Sequence, residues 1–272
     1  MKGVLRTAPF ALGVLFLASC GPSGESGRGT PETKESVYQR GHELYLTMHM
    51  EDAERELARA AAMDSNYADP LVDLGSLWFD RGMKAEGAVR TEGFRRARTF
   101  LARAEALGYR ESEAYDRLCE ICTSLEDARG FLKYAKKNAE RYPFDRQMYN
   151  LGVAYFGVEE WAAVLKTERE ASEKFRESPY VGAFYREMGL AYMKMDRDQT
   201  AERTLTAGVQ AVDARLAAVR KGEEGGTSDG SRRLQDDKIG MLLLLRRLHT
   251  TYRESEKLAQ VERQLREAGY TK

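Results

Sequence analysis

Cysteine, histidine and tryptophan are scarce in this 272-residue chain, at three, three and two residues, and only six prolines punctuate it. The shortage of metal- and nucleophile-forming residues removes most catalytic classes. Cys119 and Cys122 are the one spacing that suggests redox or metal chemistry, yet no second Cys pair or Cys/His set completes a four-ligand zinc site, and no strand leads into the motif. His42, His49 and His249 lie far apart and form no His-Glu-x-x-His arrangement. The glycine-rich stretch from Gly222 to Ser231 lacks the lysine and the flanking strand of a phosphate loop, and reads as a disordered insertion. Nucleophile elbows and acidic metal loops are missing too. The expectation is a protein that is not an enzyme, with no cofactor, no metal and no small-molecule substrate. Net charge is also missing, 43 basic against 43 acidic residues, so nothing global attracts the chain to nucleic acid. Strand-like alternation is hard to find. Pro70, Pro143 and Pro179 each fall near the start of a helix-sized pattern, where proline ends one element and begins another. An all-α fold follows.

What the chain has is a recurring phrase. Leu74-Gly75-x-x-Trp78, Leu118-Cys119-x-x-Cys122, Leu151-Gly152-x-x-Tyr155 and Met188-Gly189-x-x-Tyr192 each place an apolar residue, a small residue and then an aromatic or apolar one. The small residue marks a close helix crossing. Gly75 lies 34 residues after Gly41, Gly152 lies 33 after Cys119, and Gly189 lies 37 after Gly152. Self-similarity at such a period means stacked helical hairpins whose apolar faces are buried only against neighbours.

Here the sequence resembles the tetratricopeptide (TPR) family. Its second-helix pattern of a small, a large and a small residue falls on Ala53, Leu57 and Ala60, and on Ala201, Leu205 and Gly208. With about ten residues inserted it falls on Ala97, Leu101 and Ala104, making 82–93 a lengthened inter-helix turn. Looser copies are Phe131, Ala135 and Asn138, then Val164, Glu168 and Ala171. Counting from His249, a sixth copy is Val261, Leu265 and Ala268. The resemblance covers residues 34–271 and implies a superhelical solenoid of about six helix-turn-helix repeats, with insertions near 82–93 and 221–232. The Cys pair then occupies core positions of the third repeat, where free cysteine behaves as a small hydrophobe.

Residues 1–19 begin with Lys2 and Arg6, continue through an apolar stretch from Ala8 to Leu17 and lead into Leu17-Ala18-Ser19-Cys20. Such a segment is an export signal and too short for a stable spanning helix. Its ending resembles the lipobox of bacterial lipoproteins, which implies cleavage before Cys20, a thioether-linked diacylglycerol and an acyl chain such as palmitate on the new amine. Gly21 stands where the family's usual retention signal is aspartate, which implies the periplasmic face of the outer membrane. Residues 20–33 form the lipidated start and a flexible tether, about twelve residues of which reach roughly 20 Å.

Within the TPR resemblance, first-helix residues six and three before the glycine, and one and four after it, line a concave groove. Those offsets make one helical stripe. The candidate groove residues are Tyr38, His42, Tyr45, Phe79, Arg146, Tyr149, Phe156, Arg186 and Met193, with Ser76, Asp116, Glu120, Leu190, Arg246 and Arg253 on the same stripe. Aromatic residues beside arginine are the types that carry binding hot spots. The expected function is a lipid-anchored scaffold that binds protein partners and assists assembly of a cell-envelope complex, similar to the lipoproteins that help pilus secretins assemble. Outer-membrane protein insertion, recruitment of peptidoglycan enzymes, a passive spacer, and a thiol-redox factor or enzyme using Cys119 and Cys122 stay open as alternatives.

Overall fold

The structure, a computed structural model, describes residues 32–221 and 227–271. The expected signal segment, Cys20 and nearly all of the tether lie outside these residues. Twelve helices and no strands occur among the described residues, in six hairpins. Unit one pairs α1 (Lys34–Leu46) with α2 (Met50–Met63), and unit two pairs α3 (Asp69–Lys84) with α4 (Gly87–Ala106). Unit three is α5 (Ser112–Ser124) with α6 (Ala128–Arg141), and unit four is α7 (Asp145–Gly157) with α8 (Trp161–Lys174). Unit five is α9 (Val181–Lys194) with α10 (Asp198–Lys221), and unit six is α11 (Ser228–Thr251) with α12 (Ser255–Glu267).

The hairpins close where glycine stands opposite a large side chain. A Cβ built on Gly41 would lie 2.9 Å from the Leu57 side chain, one on Gly75 2.5 Å from Leu101 and one on Gly189 2.4 Å from Leu205. Real Cβ atoms do not approach so closely, so glycine is what lets the second-helix leucine reach the first-helix backbone. Unit three reverses the volumes, with Cys119 on the first helix and Ala135 on the second, both buried.

Five turns share one hydrogen-bond pattern. His49, Asp127, Glu160, Arg197 and Glu254 donate their backbone N–H to the carbonyls of Leu44, Cys122, Tyr155, Tyr192 and His249, five residues back. The residue before each donor, Met48, Glu126, Glu159, Asp196 or Arg253, has positive φ. This is the Schellman closure of a helix, made here without glycine at the left-handed position. It also corrects the register of unit six. His249 matches Tyr192 by its turn bond, so the small-residue position falls to Arg246 rather than His249.

The first expected insertion is largely helical, and so are the described residues of the second. The segment 82–93 is no lengthened turn, because α3 continues to Lys84 and α4 starts at Gly87. Gly82 and Gly93 let the extra turns pack, a Cβ on Gly93 falling 2.9 Å from the Gly82 Cα. Likewise α10 reaches Lys221 and α11 begins at Ser228, where the Thr227 hydroxyl accepts the Gly230 N–H as an N-cap. Residues 222–226 of the expected disordered insertion lie outside the described set, and 228–231 are helix.

The apolar core forms three clusters. One joins units one and two through Leu57, Leu74 and Leu77, and a second runs from Phe94 through Leu118 and Ile121 to Ala154. The third fills units five and six around Leu205, Met241 and Leu265. Between the last two lies a polar seam, where Gln147, Thr167, Glu168 and Ser172 of unit four and Glu187 of unit five are buried. Glu168 holds the position that leucine holds in units one, two and five. Its side chain lies against Gly152, it is 0% exposed, and neither carboxyl oxygen has a hydrogen-bond partner.

Burial, with a further push from Glu187 only partly offset by Arg186, holds the Glu168 carboxyl well above its ordinary value of 4.5. An acid raised in the folded state supports folding below its unfolded pKa and withdraws that support as pH rises toward the folded value. Replacing Glu168 with Leu is therefore expected to stabilise the protein by about 2 kcal/mol near neutral pH. The gain shrinks as pH falls toward 4.5, and urea unfolding of both proteins across that range measures it. A Glu168→Leu protein less stable than wild type above neutrality would contradict the assignment.

Candidate functional site: the inner face of the first helices

Successive first helices come within 8 Å of one another, Cα to Cα, at α1 and α3, α3 and α5, α7 and α9, and α9 and α11. Only α5 and α7 stay farther apart, and side chains bridge them. Among the described residues no second helix comes that close to another second helix. The first helices thus form the tighter, inner layer.

At the α1 end this layer brings the sequence-derived candidates together. Tyr38 sits half-buried, edge-on to Tyr67 with ring centroids 5.4 Å apart, and 5.7 Å from His42. The His42 Nδ1 lies 2.7 Å from Asp73 Oδ2, and the Tyr45 hydroxyl donates to Asp80 Oδ2 at 2.8 Å. Burial raises the Asp73 carboxyl, with His42 pulling it partly back. Burial and then Asp73 raise the Tyr38 phenol, so it keeps its proton. In the middle, Arg146 is exposed and 3.8 Å from Asp116 across the α5–α7 gap. Asp116 accepts from Asn138 Nδ2 at 2.8 Å, and the Ser112 hydroxyl donates to Asn138 Oδ1. Glu120 is exposed one turn further on. Tyr149 packs against Tyr180 at 5.3 Å.

Other candidates lie elsewhere. Phe79 is 9% exposed and belongs to the core, tilted against Phe94 at 5.8 Å, because the extra turns of α3 and α4 enclose it. Ser76 is buried and donates to the Val72 carbonyl. Phe156 is held edge-on by Trp161 at 4.9 Å beside the α7–α8 turn. Leu190 is half-buried, and Met193, also partly buried, packs on the core of units five and six. Arg186 is spent on Asp237 of α11 and on Glu187. Arg246 lies over the Tyr270 ring, and Arg253 is a turn residue with positive φ.

The α11 extension is what the offsets cannot foresee. A Cβ on Gly182 would lie 2.7 Å from the Asp237 Cβ, and Arg233 lies 4.3 Å from the Tyr180 ring centroid. Helix α11 therefore covers the inner face at unit five, leaving a cleft of about 580 Å³ beside Tyr180, Arg186, Arg232 and Arg233. Two acidic side chains of α3, Asp73 and Asp80, also escape the sequence pattern. Asp69 sits six before Gly75, an offset the groove rule already contains, while Asp73 and Asp80 each fall one position past a member of the stripe.

One constellation has metal-ligand types. Glu202, His249 and Glu254 present ligand atoms within 4.8 Å of one another. The Lys257 ammonium already bonds both carboxylates, at 2.8 and 2.9 Å, and His249 Nδ1 lies 2.8 Å from Glu254. The group works as an ion-paired staple between α10 and unit six. No helix among the described residues is long and apolar enough to cross a membrane.

No family model and no curated protein matches the chain. Solved structures do. A MamA protein aligns with a TM-score of 0.55 at 16% identity, covering 73% of this chain and 100% of its own. YrrB, described as a TPR protein with an unusual peptide-binding site, aligns with a TM-score of 0.53 at 15% identity, covering 70% and 91%. MamA from Desulfovibrio magneticus RS-1 aligns with a TM-score of 0.50 at 19% identity, covering 68% and 99%. The fold is a TPR solenoid. Its paired, all-helical architecture is the one the repeats predict.

Within the solenoid Cys119 and Cys122 are free and buried. Burial and the neighbouring Asp116 raise the Cys119 thiol, and burial with Asp127 raises Cys122 to about 11. Thiols held protonated and covered are poor nucleophiles. Titration of the native protein with a thiol reagent near neutral pH is expected to label neither quickly, and both after denaturation. Fast native labelling would reopen the redox reading.

Proposed function

We propose that this chain is a lipid-anchored TPR scaffold that holds a segment of a protein partner along the inner face of units one to four and assists assembly of a cell-envelope complex. The observation that carries the reading is the inner layer itself. From α1 to α7 it presents half-buried tyrosines and charged groups at helical spacing, and at the α1 end these lie over the buried cluster of Leu57, Leu74 and Leu77. YrrB, similar in fold, is described as having a peptide-binding site. Grooves of this kind accommodate extended or helical segments.

The address rests on the sequence that ends in Cys20. Acylation at that residue would fix the protein at the periplasmic face of the outer membrane, since two lipid signals suffice for lasting attachment. Among envelope systems a pilus or secretin complex is the client we favour, on size and repeat number, with protein insertion and peptidoglycan enzymes as the other clients.

A photocrosslinking residue placed at Tyr45 or Tyr149 in cells is expected to give discrete adducts with a partner, and one at the exposed Ala58 of α2 none. Adducts from Ala58 alone would move the binding surface to the outer layer. Replacing Cys20 with Ser is expected to release the protein from the membrane fraction, and retention there would remove the lipid anchor from the proposal.

A further inference from the structure

The inner face is not uniform, and its open part carries an excess of negative charge. Helices α3 and α5 contribute Asp69, Asp73, Asp80, Glu113, Asp116 and Glu120. Two of these carboxylates find hydrogen bonds in neutral donors, Asp80 in the Tyr45 hydroxyl and Asp116 in the Asn138 amide. Such donors satisfy lone pairs but leave the charge standing. The cations that face them are fewer. Arg117 pairs with Glu113 at 2.8 Å, Arg146 stands 3.8 Å from Asp116, and His42 carries charge only when protonated. At the far end Arg186 is already paired with Asp237 and Glu187, while Arg233 lies over the Tyr180 ring.

The chain's own Lys34 displays how a basic side chain is received at this end. Its ammonium bonds Asp64 and lies 5.2 Å from the centre of the Tyr67 ring. Tyr67, on the α2–α3 connection, in turn meets Tyr38, which faces His42 and its partner Asp73, so aromatic rings and carboxylates lie side by side at this end. That pairing of ring face and carboxylate is what an ammonium or guanidinium seeks.

We infer that the half of the inner face built by α1, α3 and α5 takes a lysine- and arginine-bearing segment of the partner protein. The inference rests on the reading of this face as the binding groove. Acidic segments are disfavoured there by like charge, and at unit five Arg186 is already paired with Asp237 of α11.

Fluorescence anisotropy with three labelled fifteen-residue peptides tests it, all sharing the same alanine and leucine positions and carrying five Lys/Arg, five Glu or five Ser. At low salt the basic peptide is expected to bind the mature protein about tenfold more tightly than the acidic one. Neutralising three exposed or half-exposed charges together, Asp69→Asn, Glu113→Gln and Glu120→Gln, is expected to weaken the basic peptide about tenfold, with unfolding temperature checked against wild type. Equal binding of the acidic or serine peptide, no binding of the basic one, or indifference to the triple variant would overturn the charge assignment. Adducts at Tyr45 in cells with no basic preference in vitro would leave the groove standing and remove only this inference. Loss of both would remove the groove.

Discussion

Two helices can cross only as closely as the residues at the crossing allow. In four of the six units a glycine on the first helix receives a side chain from the second, and everything else in the solenoid is arranged around that contact. The crossing fixes the hairpin, the hairpin fixes which residues of the first helix point away from its partner, and those residues form the inner layer. The Schellman turns set the same spacing at the other end of the first helix in five units, so the phase is held a second time.

Glycine against leucine is plain in the sequence because the pattern is local and periodic, and Gly41, Gly75 and Gly189 meet the second-helix leucines it pairs them with. The same pattern pairs Gly152 with Glu168, yet gives no sign that a carboxyl is left there without a partner. Features that depend on more than one unit are harder to read. The ten-residue excess in unit two suggests a turn and is instead helix, since an interval alone does not say whether added residues coil or lengthen a helix. Phe79 leaves the groove for the core for that same reason. In unit six the pattern sets its anchor three residues late, because Leu245 and Leu248 both precede a plausible reference residue and only the turn bond to the His249 carbonyl separates them.

Charge is the least legible property of the inner face. Arg186 sits on the right stripe, yet it is consumed by Asp237, a residue 51 positions away that no single-helix rule connects to it. Asp73 and Asp80 reach the inner layer from positions outside the four-offset stripe, held there by His42 and Tyr45. The net result shifts the open part of the surface toward carboxylate and tyrosine, whereas the linear pattern distributes acidic and basic character by unit.

The polar seam at unit four has a mechanical meaning. A stacked solenoid bends stiffly where successive units share one continuous apolar core, and yields first where buried polar groups are poorly matched. Here two apolar blocks flank a layer with an unpartnered carboxyl, and α5 and α7 stand apart at the same level. A partner lying across units three and four therefore meets the one place where successive first helices stand apart and side chains alone bridge them.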